Sequence, residues 1–567
     1  MKHVKHMKWW GWGEEGVFFN YENKPAFAPF VKKHLGIDLR PRQVDTIPFD
    51  SSTVPDSGLP EALRDALVAA TAPDRVTTDA HERVVHGHGS SVTELLHVSR
   101  FDYGRLPDVV VYPSTDAEVA AVLAACVAAD AVVVPFGGGT NIARSLQLDP
   151  AETRPAVSLD MGLMVGIHEL DEESGLARIG AGMLGPDLEE ALAARGWTLG
   201  HFPDSFTHST LGGWAATRSS GMQSDKYGDI ADIIRGMTVV RPSGTVTLKP
   251  VPSESTGPSL REMFIGSEGR LGVITEVWVQ IHRIAEERTV VAYMYPTWSD
   301  AVDAIHSMAD AEVPTTFVRI SDANETAFSL STQKEALTLR KKVEGKVQEQ
   351  LWAFMRRRGW DTDAMCISYV CFEGSKADVE ARRRQVALIA KRHGALVLGT
   401  GPGALYDQKK FDTPYLRDFL LEQDVMGDVS ETSAPWSRIN PIHDGVYAAA
   451  KAAFSALGKQ GFVMCHLSHS YHVGACLYFT FAFQAGEDAD REYATVKTAI
   501  QQAFIDHGGT LSHHHGVGME HAPWMEQVLS AEGVSLIRTL FEATDPGRHL
   551  NPGKIIDPAL SLYDKLG

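Results

Sequence analysis

The chain has 567 residues, 44% hydrophobic and 22% charged, which is too long for one hydrophobic core and leads us to expect two or three domains. With 53 basic against 72 acidic side chains its formal charge is −19. That balance excludes a broad nucleic-acid footprint and leaves any anionic ligand dependent on a local cluster of Arg and His.

Cys126, Cys366, Cys371, Cys465 and Cys476 form no C-x-x-C pair, so they read as core thiols in a reducing compartment rather than a zinc knuckle. Residues 1–100 are expected to pack as an N-terminal segment on the body. Its start, "MKHVKHMKWWGWG", is basic, and Trp9, Trp10 and Trp12 suit either a lipid headgroup layer or, the favoured reading, docking of the indoles on the fold. No apolar run approaches the roughly 20 residues of a membrane span, and no signal-peptide core is present. The ending "YDKLG" is not a peroxisomal tripeptide, so cytoplasmic residence is expected, with peripheral membrane contact left open.

Between 101 and 285 the pattern is strand, helix, strand. Val109 to Tyr112 has strand length. Thr115 with Glu118 three residues on is a capping-box signature that opens a helix to Ala129, and Val132 to Val134 is a second strand ending at Pro135. Gly137, Gly138 and Gly139 follow. A bare backbone loop there serves as an anion nest for a diphosphate or simply as a flexible turn, and the residues alone leave both open.

"GAGMLG" (180–185) satisfies G-x-G-x-x-G. In a dinucleotide fold the helix begins inside that motif, whereas here Pro186 suits a first helical position, so a Rossmann site is rejected. The stretch 201–234 is dense in Ser, Thr and Gly and too long for an idle connection. "VVRPSGTVTL" reads as two strands around a turn, and "FIGSEGRLGVITEVWVQIHRI" as a Gly-rich turn feeding a strand.

From 286 to 505 strands and helices alternate, which predicts an α+β domain with an antiparallel sheet backed by helices. The basic helix at 336–360 reads as a solvated face, with a lid as the lesser reading. Residues 506–567 form a C-terminal segment carrying "LSHHHGVG". Its three adjacent histidines cannot converge on one metal, because neighbours point to opposite faces of a strand and diverge by roughly 100° on a helix.

The motifs "PDVVVYPSTDAEV", "VVPFGGGTN", "PDSFTHSTLGGWAATRSSG", "GSEGRLGVITEV" and "NPGKI" together resemble the FAD-binding module of the vanillyl-alcohol oxidase-type flavoproteins. The resemblance implies a two-subdomain FAD-binding module plus a cap domain. Pro135, Phe136, Gly137, Gly138, Gly139, Thr140 and Asn141 would hold the diphosphate. Pro203, Asp204, Ser205, Phe206, Thr207, His208 and Ser209, then Thr217, Arg218, Ser219 and Ser220, and finally Glu268, Gly269, Arg270, Leu271, Gly272, Val273 and Ile274 would contact the rest of the FAD. Members with covalent flavin carry a His just after the glycine loop. Thr140 and Asn141 stand there, so FAD is expected to be non-covalent.

Within that superfamily "MKWWGWG", "VRISD", "ETSAPWSR", "SHSYHVGACLYFTFAF" and "LSHHHGVG" resemble the alkyldihydroxyacetonephosphate synthase family. That resemblance implies exchange of an acyl chain on dihydroxyacetone phosphate for a fatty alcohol, without net redox, by a homodimer. Tyr471 would donate and accept the proton, Arg438 would bind the substrate's phosphate, Arg319 would support activity, and His513, His514 and His515 would form the histidine cluster. A proton relay of Tyr and His suits that chemistry, and a guanidinium suits phosphate.

The rival reading is an FAD-linked 2-hydroxyacid dehydrogenase or oxidase. Its metal-ligand positions fall on His466, Tyr478 and His514, of which two are changed. A metal site from His466, His469, His472 and the triplet lacks a carboxylate or thiol at ligand spacing, so no metal is expected. A flavin-binding scaffold with a degenerate site is the non-enzyme alternative.

Overall fold

In the computed structural model, which describes residues 7–40, 47–332, 353–403 and 414–556, the first apolar run becomes the strand Val109–Val111 and the second Val132–Phe136. Both run parallel to Ala156–Asp160, with Val76–Thr77 antiparallel at the far edge. The helix between them, Asp116–Ala128, starts where the Thr115 hydroxyl accepts the Glu118 N–H. Glu118 does not complete the capping box. Its carboxylate accepts from Ser114 N–H and Arg75 instead. The second strand runs through Pro135, further than expected, because it is the outermost strand of its sheet and the missing N–H interrupts no ladder there.

An antiparallel five-stranded sheet follows, in the order Ile167–Asp171, Leu176–Gly180, Val273–Gln280, Ile234–Arg241, Gly244–Leu248. The helix expected after "GAGMLG" is Gly185–Ala193; it begins one residue earlier than expected, at the last glycine of the motif, so Pro186 stands second in the helix, where its missing N–H is still no loss. The C-terminal segment returns to the first sheet. His549 C=O accepts the Val133 N–H at 2.7 Å, and the Asn551 side chain donates to the carbonyls of Ser145 and Glu268.

The third sheet has seven strands, in the order Leu396–Gly399, Glu287–Tyr295, Cys366–Gly374, Phe317–Ser321, Gly461–Ser470, Gly474–Gln484, Val425–Pro435, every pair antiparallel. Period-two alternation sorts its side chains. Leu477, Phe479, Phe481 and Phe483 are fully buried against the backing helices, where each phenylalanine contributes about 1.5–3 kcal/mol. Tyr478, Thr480 and Ala482 point the other way, into a cavity. Met464, His466 and Ser468 do the same on the neighbouring strand, while Val463, Cys465 and Leu467 join the core. This sheet therefore forms both the roof of a core and the wall of a site.

The indoles of Trp9, Trp10 and Trp12 are 4%, 7% and 4% exposed: they dock on the body rather than offer themselves to lipid. All five cysteines are buried and free. No helix among the described residues is long and apolar enough to cross a membrane. The basic helix read at 336–360 lies largely outside the described residues.

Candidate active site

A cavity of about 1550 Å³ lies between the glycine loop and the inner face of the seven-stranded sheet. Ordinary small-molecule sites hold roughly 300–1,000 Å³, so this one has room for a dinucleotide and a second ligand. All of residues 135–141 line it, as do Pro203, Asp204, Ser205 and Ser209.

The loop is glycine for a steric reason. A Cβ on Gly138 would lie 1.7 Å from the His208 carbonyl oxygen, and one on Gly137 would lie 2.4 Å from Thr210 Oγ1. The loop thus presents backbone alone along one wall, which fits a diphosphate. Thr217, Ser219, Ser220, Glu268, Gly269, Gly272, Val273 and Ile274 also line the cavity.

Phe206, Thr207 and His208 do not line it. Phe206 stacks on Trp214 instead, and the His208 ring meets Trp12 edge-on. Arg218 borders a smaller cavity and pairs with Glu262. Arg270 packs over Phe541 and donates to Leu550 C=O, and Leu271 is buried in the core.

The chemistry-bearing end is built around Glu431, which is 2% exposed. Its Oε1 accepts from Ser512 Oγ (2.7 Å), His514 N (3.1 Å) and His515 N (3.0 Å), and its Oε2 accepts from His513 N at 2.5 Å. One buried carboxylate thus folds the histidine run into a turn. Burial works against its ionisation, but the electrostatic pull of His514, His515 and His513 and the Ser512 hydrogen bond outweigh it and hold the acid well below its ordinary value.

His514 and His515 line the cavity. Burial pushes them down to about 3 and about 4, with Glu431 opposing, so both are neutral near pH 7. His469 reaches the same wall through a bulge in its strand, where it takes φ 50° and the register shifts between Ser468 and Ser470.

Arg319 lines the cavity, donating to Glu325 at 2.6 Å and contacting His466 Nδ1 at 3.0 Å. Burial raises Glu325, but His466 and Arg319 bring it to about 2. Tyr478 stacks on His466 (centroids 4.7 Å) and lies parallel to His514 at 6.0 Å. Among the described residues its hydroxyl has no hydrogen-bond partner, and of the two tyrosines that line the large cavity, Tyr369 and Tyr478, it is the one beside the histidines.

Of the residues expected to act on the substrate, Tyr471, His513 and Arg438 do not line the large cavity. Tyr471 lines a smaller cavity of about 320 Å³ together with His513, Asp229 and Ser220; Ser220 also borders the large one. The strand that would carry Tyr471 into the large cavity ends at Ser470, so the role read for Tyr471 at the reacting atoms is open to Tyr478 instead.

Arg438 is exposed and lines neither cavity. It lies in the first turn of the helix Trp436–Ala456, whose buried stripe is Ile439, Ile442, Val446 and Ala450, so Arg438 falls on the solvent side. Besides Arg319, which is engaged by Glu325 and His466, the guanidinium that lines the large cavity among the described residues is Arg417. Its Nη1 donates to Ser90 C=O, while its Nε and Nη2 are buried without a hydrogen-bond partner among the described residues. Nothing in "TPYLRDFL" marked it in the sequence.

The expectation that no carboxylate or thiol joins the histidines also needs correcting. Ligand atoms of Glu431, Cys476, His513 and His514 lie within 4.8 Å of one another. The Glu431 oxygens are already engaged by three backbone N–H groups and a hydroxyl, and burial pushes the Cys476 thiol well up. The donor set therefore reads as a hydrogen-bonded cluster.

Residues 107–248 match the FAD binding domain family and residues 284–555 the FAD linked oxidases, C-terminal domain family. The alkyldihydroxyacetonephosphate synthase of Trypanosoma brucei brucei is 34% identical over 97% of this chain and 92% of its own length. A solved alkyldihydroxyacetonephosphate synthase superposes with TM-score 0.82 at 31% identity, covering 97% of this chain and 98% of that one. The mitochondrial D-lactate dehydrogenase [cytochrome] of Arabidopsis thaliana is 25% identical over 86% of this chain and 78% of its own length. With the cradle fitted to FAD and near full-length identity above 30%, this chain belongs to the alkyldihydroxyacetonephosphate synthase family of FAD-dependent enzymes.

Proposed function

We propose that the protein exchanges the acyl chain of an acyl-dihydroxyacetone phosphate for a fatty alcohol, forming an ether-linked product without net redox change. The observation that carries this reading is the shared cavity, which joins an FAD cradle, a buried guanidinium with free nitrogens, and a phenol beside neutral imidazoles. Held by the residues of the glycine loop and the walls around it, FAD would supply an electron-poor ring system to the reaction.

The chain's own residues do the rest. Arg417 binds the phosphate end, using the two nitrogens that have no partner, because a guanidinium grips phosphate through parallel hydrogen bonds. Tyr478 and His514 exchange protons with the substrate, both being held at the cavity wall. Met294, Met355 and Ile367 form an apolar annex of the same cavity, where pliable methionine side chains suit a fatty chain. Arg319, locked between Glu325 and His466, orients that wall.

A homodimer with peripheral membrane contact in the cytoplasm belongs to the same reading, and sedimentation and liposome flotation test it. The exchange itself is tested by supplying labelled hexadecanol and acyl-dihydroxyacetone phosphate with no electron acceptor. Labelled ether is expected. A 2-hydroxyacid dehydrogenase would make none and would reduce a dye with lactate or glycolate, and a flavin scaffold would do neither.

A further inference from the structure

Behind His514 a chain of short contacts leads away from the large cavity. His513 Nδ1 lies 3.0 Å from His514 Nδ1, His513 Nε2 lies 2.6 Å from the Tyr471 hydroxyl, and that hydroxyl donates to Asp229 Oδ2 at 2.7 Å. Asp229, Tyr471 and His513 all border the smaller cavity, which reaches the exposed side chains of Arg218 and Asp232.

We infer that Asp229, Tyr471 and His513 form a proton path that fixes the tautomer of His514 and links the reaction cavity to the smaller one.

The argument starts from the fixed end. A carboxylate only accepts, so the single Tyr471 proton points at Asp229 and the phenol oxygen must itself accept from His513. His513 therefore carries its hydrogen on Nε2. With that hydrogen on Nε2, Nδ1 of the same ring is the acceptor in the 3.0 Å contact, and His514 carries its hydrogen on Nδ1. His514 Nε2 is then a base with no hydrogen-bond partner among the described residues, on a ring that lines the large cavity.

Asp229 suits the role of anchor. Burial raises it, but His469 and His513 and the hydrogen bonds from Ser220 and Tyr471 bring it down to about 2. The other titratable groups packed against the path are Asp225 and Cys476 beside Tyr471, and His469, His515, Tyr478 and Glu431 beside the histidines. The path also gives Tyr471, placed away from the reacting cavity, a positioning role.

The inference rests on the exchange reaction proposed above for its proton balance. In that reaction the alcohol oxygen forms a C–O bond to the triose, and the acyl group leaves as a carboxylate with the electron pair of its own C–O bond. The alcohol's hydrogen is left over, one proton per turnover. Taken up at His514 Nε2, it displaces the Nδ1 proton to His513 Nδ1, the His513 Nε2 proton to the Tyr471 oxygen, and the phenol proton to Asp229 at the wall of the smaller cavity.

The test has a structural arm and a kinetic arm. In FAD-loaded protein labelled with ¹⁵N-histidine, signals assigned through His513→Gln and His514→Gln should show His514 as the Nδ1–H tautomer and His513 as Nε2–H. Tyr471→Phe should erase that bias at His514, keep FAD bound and KM unchanged, and lower kcat about 100-fold, the low end of general acid–base contributions. Asp229→Asn, of nearly the same size, should act in the same direction and alter the solvent deuterium isotope effect on kcat. An Nε2–H His514 in the unmodified protein, or wild-type kcat in both variants, overturns the path. Absence of any ether product from the unmodified protein overturns the exchange reading instead, and the tautomers still judge the path.

Discussion

Glu431→Gln removes a charge at the centre of the site while leaving the side chain's shape intact. An amide oxygen in the Oε1 position keeps three bonds, from Ser512 Oγ, His514 N and His515 N. Each passes from charge-assisted to neutral, a loss of about 1 kcal/mol apiece. The amide NH₂ in the Oε2 position then faces the His513 N–H, which donates at 2.5 Å in the parent. A buried donor facing a donor costs about 1–3 kcal/mol more. The variant should therefore lose about 4–6 kcal/mol, concentrated in the turn at 511–518, and turn over at least about 100-fold slower because the relay of imidazoles loses its geometry.

Urea denaturation followed by circular dichroism and by flavin fluorescence reads the first effect, and ether formation from labelled alcohol reads the second. The acid itself predicts a pH dependence of the same sign. Its folded value is depressed, so its contribution is complete above the ordinary carboxylate value of about 4.3 and is lost as pH falls toward the depressed one. Stability within about 1 kcal/mol of the parent together with full turnover would refute the view that this carboxylate builds the histidine turn.

Other outcomes follow from the same geometry. FAD should leave the protein on acid precipitation, since Thr140 and Asn141 stand after the glycine loop; flavin retained in the washed pellet would contradict this. Gly138→Ala should abolish FAD binding measured by fluorescence titration, because its Cβ would overlap the His208 carbonyl at 1.7 Å. Arg417→Lys should raise KM for the phosphate-bearing substrate more than tenfold while the FAD dissociation constant stays the same; the reverse pattern would assign Arg417 to the FAD diphosphate. Stability should fall between pH 6.5 and about 4, because His514 and His515 are depressed to about 3 and about 4 while their unfolded counterparts protonate near 6.5. By pH 5 each contributes a loss of about 2 kcal/mol, and a flat denaturation midpoint over that range would contradict their buried, neutral state.

The cofactor end of the site was legible because its signals are local. A glycine triplet after a strand, a Thr cap with Glu three residues on, and a proline just past "GAGMLG" each fix the backbone within a few residues. The reacting end was less legible because long-range packing decides it. Tyr471 and Tyr478 share one motif, and which one enters the large cavity depends on the sheet face and on the bulge at His469. The alternation in "CLYFTFAF" did carry that signal: Tyr478, Thr480 and Ala482 share one face and the phenylalanines the other.

Arg438 sits in a recognisable motif, yet helix periodicity turns it to solvent. Arg417 has no motif and enters the cavity because its neighbours Asp418 and Phe419 are buried, the former against Lys8 and the N–H of Trp12. Glu431 opens a quoted motif, but its role depends on a turn some eighty residues later in the chain.

The most direct test of the exchange reaction follows the alcohol's own oxygen. FAD-loaded protein is given ¹⁸O-hexadecanol and acyl-dihydroxyacetone phosphate without an electron acceptor, and the products are weighed by mass spectrometry. The account predicts ¹⁸O in the ether linkage, with both oxygens of the released fatty acid unlabelled. Heavy oxygen in the fatty acid, or turnover that appears only with a hydroxyacid and an electron acceptor, would contradict it.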